Sequence, residues 1–197
     1  VQKDIIKGNT QFKNMLETTI LDSFKKWIEP SIEREIRSEL KEQAEIVAEE
    51  WLSNKEIYDK NKDGIIQYVM LEGEPGHQDS LIRTEYSIRS LEEKGIQLEK
   101  LADDSANWQS DQASSKMTQW IKQFGDNIEL VISNNDVMAL GAIHAINSNS
   151  DLIRKPIVVG IDGVKDALES IKSGDMNGTV ISDSRAQAEA IFEIGTN

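Results

Sequence analysis

The sequence predicts an α/β domain, built on a mostly parallel sheet flanked by helices and preceded by a helical hairpin. The main observation is that strand-like and helix-like runs alternate from residue 65 onward, a pattern typical of βαβ units. A second is that Gly95, Gly125 and Gly174 each follow a helix-like run, as glycines at helix C-termini do. A third is that residues 1–45 contain no apolar run typical of a buried strand.

The N-terminal part is predicted to form two amphipathic helices, over residues 10–28 and 31–52. Apolar residues recur at helical spacing in the first helix at Leu16, Ile20, Phe24 and Trp27. Pro30 suits the first turn of the second helix, in which Ile32, Ile36 and Leu40 repeat every four residues. We therefore interpret this part as the hairpin.

Five strands and five helices are predicted in the remainder of the chain. The strands span residues 65–71, 97–101, 130–133, 157–161 and 179–181. The helices span residues 80–94, 110–124, 137–147, 164–172 and 185–194. Ligands of such sheets bind outside the carboxyl ends of the strands, so we expect binding residues in the loops that follow strands.

The composition excludes several classes of function. The 197 residues include 22 Lys and Arg against 35 Asp and Glu, a net charge of −13, and residues 46–197 hold 14 basic and 26 acidic residues. This balance argues against nonspecific binding of nucleic acid, which needs a basic face, and permits cation binding. The absence of Cys excludes disulfides and thiolate zinc sites. With no long apolar run and no signal-peptide pattern at the first residues, we expect no direct membrane insertion.

Residues 59–67 match the spacing of a calcium-binding loop. Oxygen-bearing side chains occupy loop positions 1, 3, 5 and 9: Asp59, Asn61, Asp63 and Gln67. Gly64 permits the sharp turn at position 6, and Ile65 offers its carbonyl at position 7. Position 12 is Met70 rather than Glu, so the missing carboxylate must come from elsewhere in the chain. The alternative is an acidic Asp-Gly turn between a helix and a strand.

The loops after the predicted strands carry groups suited to sugars. Residues 73–79 (GEPGHQD) and 134–136 (NND) supply carboxylates and amides, and Arg83, Trp108 and Asp162 lie near or in such loops. Carboxylates, amides and guanidinium groups can each bind two adjacent hydroxyls, and an indole face suits the apolar face of a pyranose. Asp79 and Asp136 are also candidate helix N-caps, and for Asp136 we favour the cap. Trp120 is expected in the core.

Residues 46–197 resemble the C-terminal lobe of the periplasmic galactose/glucose-binding proteins, calcium-containing proteins of ABC transport and chemotaxis. The similarity lies in residues 59–67, 71–79, 133–141, 159–162 and 172–183. It implies that Glu129 completes the calcium site. The implied ligands are Asp59, Asn61, Asp63, Ile65 through its carbonyl, Gln67 and Glu129.

The same resemblance implies a non-catalytic sugar site. The implied contacts are His77, Asp79, Arg83, Trp108, Asn135, Asp162 and Ser182, the last standing where the family has an Asn. It also implies a hexose ligand (galactose or glucose), a membrane permease and a chemoreceptor as partners, and a periplasmic or extracytoplasmic location. Nothing in the sequence matches the family's N-terminal lobe, so we expect weaker sugar binding than in a two-lobed homologue.

Residues 1–45 instead resemble a helical stretch of the Tex family of transcription accessory proteins, in the motif PSIEREIRSEL (residues 30–40). The two resemblances meet near residues 44–48, so we interpret the chain as a chimera with a domain boundary at residue 45. One alternative function is a Tex-like nucleic-acid-binding fragment without sugar affinity. Another is a glycosidase that uses Asp79 and Asp162, although no standard catalytic motif is present. A two-lobed repressor is disfavoured by the calcium loop.

Overall fold

The computed structural model describes residues 29–150 and 152–182. Residues 36–182 form one compact unit, and only residues 29–35 of a second unit are described. The predicted helices 10–28 and 185–194, and Trp27, lie outside the described residues. No described helix is both long enough and apolar enough to span a membrane.

The described elements alternate as the sequence predicts. The helices are α1 (Glu29–Ser53), α2 (Lys55–Tyr58), α3 (Gln78–Glu93), α4 (Ser110–Phe124), α5 (Asp136–Asn147) and α6 (Lys165–Ser173), with a 3₁₀ turn at Gly125–Asn127. The strands are β1 (Ile66–Glu72), β2 (Leu98–Ser105), β3 (Leu130–Ser133), β4 (Ile157–Ile161) and β5 (Gly178–Val180). The predicted bounds of α4, β3 and β4 are confirmed to the residue.

The strands form one sheet in the order β2-β1-β3-β4-β5, and every neighbouring pair is parallel. This confirms the predicted α/β class. Strands β3 and β4 are buried along their whole length, which is why they appear in the sequence as uninterrupted apolar runs. Strand β2 extends four residues beyond its predicted end. The prediction missed these residues because most of them are polar, as an edge strand permits.

The sheet separates two apolar clusters. On one face α1 contributes Ala44, Val47 and Trp51, which pack with Ile66 and Met70 of β1. On the other face α4 and α5 cover the sheet with residues that include Met117, Trp120, Ile121, Met138 and Ala142. Trp120 is only 8% exposed, which confirms its predicted place in the core.

Helix α1 is continuous through residues 44–48, where the two sequence resemblances meet. The Gln43 side chain donates from Nε2 to the Gly160 carbonyl at 3.1 Å and accepts at Oε1 from the Ser87 hydroxyl at 3.0 Å. Gly178 of β5 lies against Ile46, where a Cβ would come within 2.6 Å of the isoleucine side chain. The helix from Gln43 onward is therefore built into the α/β unit, and the domain boundary at residue 45 stays a prediction.

Two helix caps differ from expectation. The N-cap of α3 is His77, whose Nδ1 accepts from the Asp79 backbone N–H at 3.2 Å. The N-cap of α5 is Asn135, whose side-chain oxygen accepts from the Met138 N–H at 2.9 Å. The predicted caps Asp79 and Asp136 are wrong, because each carboxylate lies inside the first turn, where it interacts favourably with the helix dipole instead.

We expect Gly141→Ala to destabilise the fold, because α4 and α5 pack closely at this residue. A Cβ on Gly141 would lie 2.2 Å from the carbonyl oxygen of Ser110. The clash should cost about 1–3 kcal/mol, even though alanine favours a helix interior by about 1 kcal/mol over glycine. Urea unfolding of the variant, compared with Gln119→Ala at an exposed position of α4, measures the effect. A stabilised Gly141→Ala protein would contradict the packing.

Candidate functional site

Arg83 of α3 joins two loops at the carboxyl edge of the sheet. Its side chain is buried, and Nη1 donates to the Asn134 carbonyl at 2.7 Å and to Asp162 Oδ1 at 3.2 Å. Asn134 follows β3 and Asp162 follows β4, so one guanidinium holds the ends of two neighbouring strands. The Arg83 Cζ also lies 6.0 Å from the centre of the Trp108 ring, within cation–π range.

Trp108 and His77 form the aromatic part of this edge. Their rings meet edge to face with centroids 5.5 Å apart. The Trp108 ring lies directly on Gly73, where a Cβ would come within 2.1 Å of the indole. Trp108 has a φ of 63°, in the left-handed region that non-glycine residues rarely adopt. The bare backbone of Gly73 and this turn together place the indole.

Asp162 supplies a carboxylate at the carboxyl edge of the sheet. Burial raises the pKa of Asp162, while the charge of Arg83 and its hydrogen bond oppose that rise and the Asp79 carboxylate adds to it. The Asp162 side chain keeps 30% of its surface exposed, so it is supported by Arg83 and still open to a ligand. Its backbone has a φ of 119°, a strained conformation for a residue other than glycine.

Asp136 fixes the loop that contains Asp162. Its Oδ2 accepts from the Val164 N–H at 2.9 Å, and its Oδ1 accepts from the Thr179 hydroxyl at 2.6 Å. Burial raises the pKa of Asp136 to about 6, although both of these hydrogen bonds act to lower it. Gly160 permits this arrangement, since a Cβ there would lie 2.3 Å from Asp136 Oδ1.

The structure brings most of the predicted sugar contacts together. Contacts described above join His77, Arg83, Trp108 and Asp162. Asn135 lies in the adjoining turn, where capping of α5 occupies its oxygen and leaves Nδ2 to donate to a ligand. Asp79 interacts electrostatically with Asp162. Ser182 follows β5, the strand next to β4, and so lies at the same edge.

Asn134 and Thr179 help to build this edge through contacts that the sequence did not predict. The Asn134 carbonyl accepts from Arg83, and its Nδ2 donates to the Ser80 carbonyl at 3.2 Å and the Thr84 hydroxyl at 2.9 Å. Thr179 holds Asp136 from β5. The available signal was the position of Asn134 directly after a buried strand, but the pattern could not show that its backbone would be the partner.

The predicted calcium loop forms a tight turn at the opposite, amino end of β1. Asp59 Oδ2 accepts from the Gly64 N–H at 3.1 Å, and Asp63 Oδ1 accepts from the Ile65 N–H at 2.7 Å. Asn61 Oδ1 accepts from the Asp63 N–H at 3.0 Å. Gly64 has a φ of 81°, as its place in the sharp turn predicts. These bonds hold the loop in a tight turn.

Glu129 reaches this loop from the residue before β3. It is fully buried, with Oε1 accepting from the Lys60 N–H at 2.8 Å and Oε2 from the Gln67 N–H at 3.2 Å. Burial raises the pKa of Glu129; the two backbone hydrogen bonds lower it, and the charges of Asp59 and Asp63 raise it further. The carboxylate that the loop lacks in sequence is thus beside it in space.

The oxygen groups around the loop fit a hard divalent cation. Lys55 Nζ lies 3.7 Å from Asp59 Oδ2, but Asp59 Oδ1 is buried and has no hydrogen-bond partner among the described residues, which is costly for a carboxylate oxygen. Within the described part of the chain, no three His, Asp or Glu side chains cluster closely enough to hold a metal by themselves. A cation here would therefore also need the amide oxygens of Asn61 and Gln67 and the Ile65 carbonyl, as calcium loops do.

Comparison with known proteins identifies similar sequences over most of the chain. A family model described as a periplasmic binding protein domain matches residues 41–197. The D-galactose/methyl-galactoside binding periplasmic protein MglB of Haemophilus influenzae is 41% identical over 156 residues, which cover 79% of this chain and 46% of that protein. A xylitol-binding protein of Mycolicibacterium smegmatis is 38% identical over 122 residues, 62% of this chain and 34% of that protein. The chain thus spans less than half the length of these relatives.

Solved structures show the same fold. An ABC transporter solute binding protein from Bacillus halodurans, with bound myo-inositol, has a TM-score of 0.57 and 34% identity over 67% of this chain and 45% of its own. A periplasmic solute binding protein from Actinobacillus succinogenes, with bound D-allose, has a TM-score of 0.59 and 27% identity over 72% of this chain and 51% of its own. These similarities support the resemblance of residues 46–197 and not the Tex resemblance of residues 1–45, which stays a prediction.

We expect Asp136→Asn to remove a pH-dependent part of the stability. A carboxyl whose pKa rises on folding from near 4 to about 6 stabilises the fold only below pH 4, and this contribution falls away as the pH rises from about 4 to 6. Relative to the parent, the variant should therefore gain about 1–3 kcal/mol of unfolding free energy between pH 4 and 6.

Urea unfolding across this pH range measures the difference, with Asp166→Asn as a control for the loss of an exposed carboxylate. A difference between parent and Asp136→Asn that does not change with pH would contradict the buried state of Asp136.

Proposed function

We propose that this chain, which belongs to the periplasmic binding protein family, binds a small sugar at the carboxyl edge of its parallel sheet and releases it unchanged. The observation that carries the proposal is the placement of Arg83 between Asp162 and Trp108. A charged donor, a carboxylate and an indole face are thereby gathered at one edge. These are the groups with which proteins grip neighbouring hydroxyls and the apolar face of a pyranose.

The ligand we propose is a hexose such as D-galactose or D-glucose. One supporting observation is the name of the Haemophilus influenzae relative, a D-galactose/methyl-galactoside binding protein. The other is that His77, Asp79 and Asn135 add polar groups around Arg83 and Asp162. His77 Nδ1 accepts from a backbone N–H, so in its neutral form the ring carries its proton on Nε2 and can donate to a hydroxyl.

We also propose a calcium ion in the loop of residues 59–67, with Glu129 as the carboxylate from outside the loop. The unpartnered Asp59 Oδ1 and the burial of Glu129 support this assignment, because a divalent cation would compensate both. Its role would be structural, since it would join the loop before β1 to the residue before β3. It would lie at the end of the sheet opposite the proposed sugar site.

The proposed biological role is solute capture for an ABC transporter outside the cytoplasm. The family membership and the transporter proteins among the similar solved structures support this role. A membrane permease would then be the partner that receives the sugar. A chemoreceptor partner stays a prediction from the resemblance.

We expect the chain to bind D-galactose or D-glucose weakly and to lose this binding in Asp162→Asn. Hydrogen bonds that compete with water contribute about 0.5–1.5 kcal/mol each, so a dissociation constant on the order of 1 mM is expected. Loss of the Asp162 charge should weaken binding by about tenfold or more. NMR titration of the Trp108 indole signal measures both, with Asp166→Asn as the matched control.

Unaltered sugar binding by Asp162→Asn would contradict the site. Hydrolysis of an aryl glycoside by the parent chain would contradict the non-catalytic assignment. A micromolar dissociation constant would contradict the weak binding that we expect.

We expect calcium to raise the melting temperature of the parent chain and to have a much smaller effect on Asp63→Asn. At a hundredfold excess over the dissociation constant, the increase should be about 5–10 °C for a domain of this size. Asparagine keeps an acceptor for the Ile65 N–H but removes the charge. In chelator the variant should melt only slightly below the parent, because it loses the Oδ2 acceptor for the amides of Asn61 and Gln67. Thermal unfolding of parent, Asp63→Asn and the exposed control Asp111→Asn measures this, and equal losses with calcium and with chelator would rule out the assignment.

A further inference from the structure

We infer that Glu99, which lies outside the calcium loop, positions the amide of Gln67 so that its oxygen is directed into the loop. The inference rests on the calcium site proposed above and adds a residue that neither the loop spacing nor the family resemblance assigns. Its basis is the register of the two neighbouring strands and a hydrogen bond between these two side chains.

Strand register places the two residues side by side. Gln67 of β1 is the direct partner of Glu99 in the parallel ladder with β2, so their side chains lie on the same face of the sheet. Gln67 is 3% exposed, whereas Glu99 is exposed. A buried amide therefore lies next to an exposed carboxylate.

Hydrogen bonds fix the orientation of the amide. Gln67 Nε2 donates to Asp63 Oδ2 at 2.8 Å and to Glu99 Oε2 at 3.1 Å. Both hydrogens of the amide nitrogen are therefore engaged by carboxylates. The oxygen Oε1 is directed to the other side, where it accepts from Asn61 Nδ2 at 3.2 Å, within the loop.

A carboxylate at this position favours one amide orientation over the other. A carboxylate only accepts hydrogen bonds, so a Gln67 side chain turned over would bring its oxygen against the negative charge of Glu99. Cation binding requires the opposite, with the amide oxygen toward the ion. Glu99 thus pre-organises Gln67 in the orientation that a cation needs.

Asp63 cannot supply this constraint once a cation is bound. Its carboxylate is itself a proposed ligand, and one of its oxygens already accepts from the Ile65 N–H. Glu99 lies on β2, outside residues 59–67, and can keep the Gln67 nitrogen engaged while Asp63 turns to the ion. Groups that orient a metal ligand in this way change metal affinity by about 10–100-fold when they are removed.

The experiment is calorimetric calcium titration of the full chain in four forms: parent, Glu99→Ala, Glu99→Gln and the control Glu85→Ala. We expect about tenfold weaker calcium binding in Glu99→Ala and a smaller loss in Glu99→Gln. In Glu99→Gln the new amide oxygen can still accept from Gln67 Nε2, but its nitrogen can also donate to a Gln67 oxygen that is turned over. Glu85→Ala, which removes an exposed carboxylate from α3, should bind as the parent does.

Two readouts separate positioning from folding. In chelator all four forms should melt at the same temperature, because Glu99 is exposed. The side-chain amide signal of Gln67 in a ¹⁵N NMR spectrum in chelator should shift in Glu99→Ala and return toward its parental position in Glu99→Gln.

The outcomes that overturn the inference differ from those that overturn the calcium site. A parent chain that binds calcium, together with a Glu99→Ala variant of equal affinity, would overturn the role of Glu99 and leave the calcium site in place. Equal weakening in Glu99→Ala, Glu99→Gln and the control Glu85→Ala would show an effect of net charge alone and would also overturn it. A parent chain without calcium binding would overturn the site and the inference together.

Discussion

Burial of the central strands on both faces is the constraint on which the rest of the structure depends. Strands β3 and β4 are buried throughout and β1 nearly so, because helices cover both faces of the sheet. Polar chemistry is therefore confined to the two ends of these strands. The candidate sugar site lies at the carboxyl ends and the candidate calcium loop at the amino ends of the same sheet.

Two strands connect these ends directly. β1 begins just after the loop of residues 59–65 and ends just before Gly73, on which Trp108 lies. β3 is preceded by Glu129 and followed by Asn134, the partner of Arg83. A cation that held the amino ends of β1 and β3 together would fix the relative position of two strands whose opposite ends carry the proposed sugar contacts. The calcium site would in this way support the sugar site without contacting it.

The sequence predicts the fold well where burial determines residue type. β3 and β4 are apolar runs because both faces are covered, and their bounds are predicted to the residue, whereas the exposed end of β2 has no such pattern and is missed. The turn within residues 59–67 is predictable because Gly64 permits its positive φ, whereas calcium binding by the loop stays a prediction. The cap of α5 is mispredicted because residues 134–136 are three adjacent residues that could each cap this helix. Only the backbone geometry selects Asn135.

Contacts that depend on backbone atoms or strand register could not be predicted from the sequence. Every residue has a carbonyl, so nothing marks that of Asn134 as the acceptor for Arg83. The pairing of Gln67 with Glu99 follows from the register of β1 and β2, which lie 32 positions apart in the chain. Short-range patterns contain no information about such a register, because it depends on how the helix between the two strands packs on the sheet.

The electrostatic balance at Arg83 explains how the carboxyl edge can be both rigid and open. A buried guanidinium is costly where its hydrogens are not engaged. Here Nη1 donates to the Asn134 carbonyl after β3 and to Asp162 after β4, while Nε is buried without a hydrogen-bond partner among the described residues. Asp162 is only partly withdrawn from water, and burial raises its pKa while Arg83 opposes that rise. The charge of Asp162 is thus held in place by one partner while its exposed part can accept a ligand hydroxyl. Because the carboxylate is already oriented by Arg83, a ligand would bind it without the entropic cost of ordering that side chain.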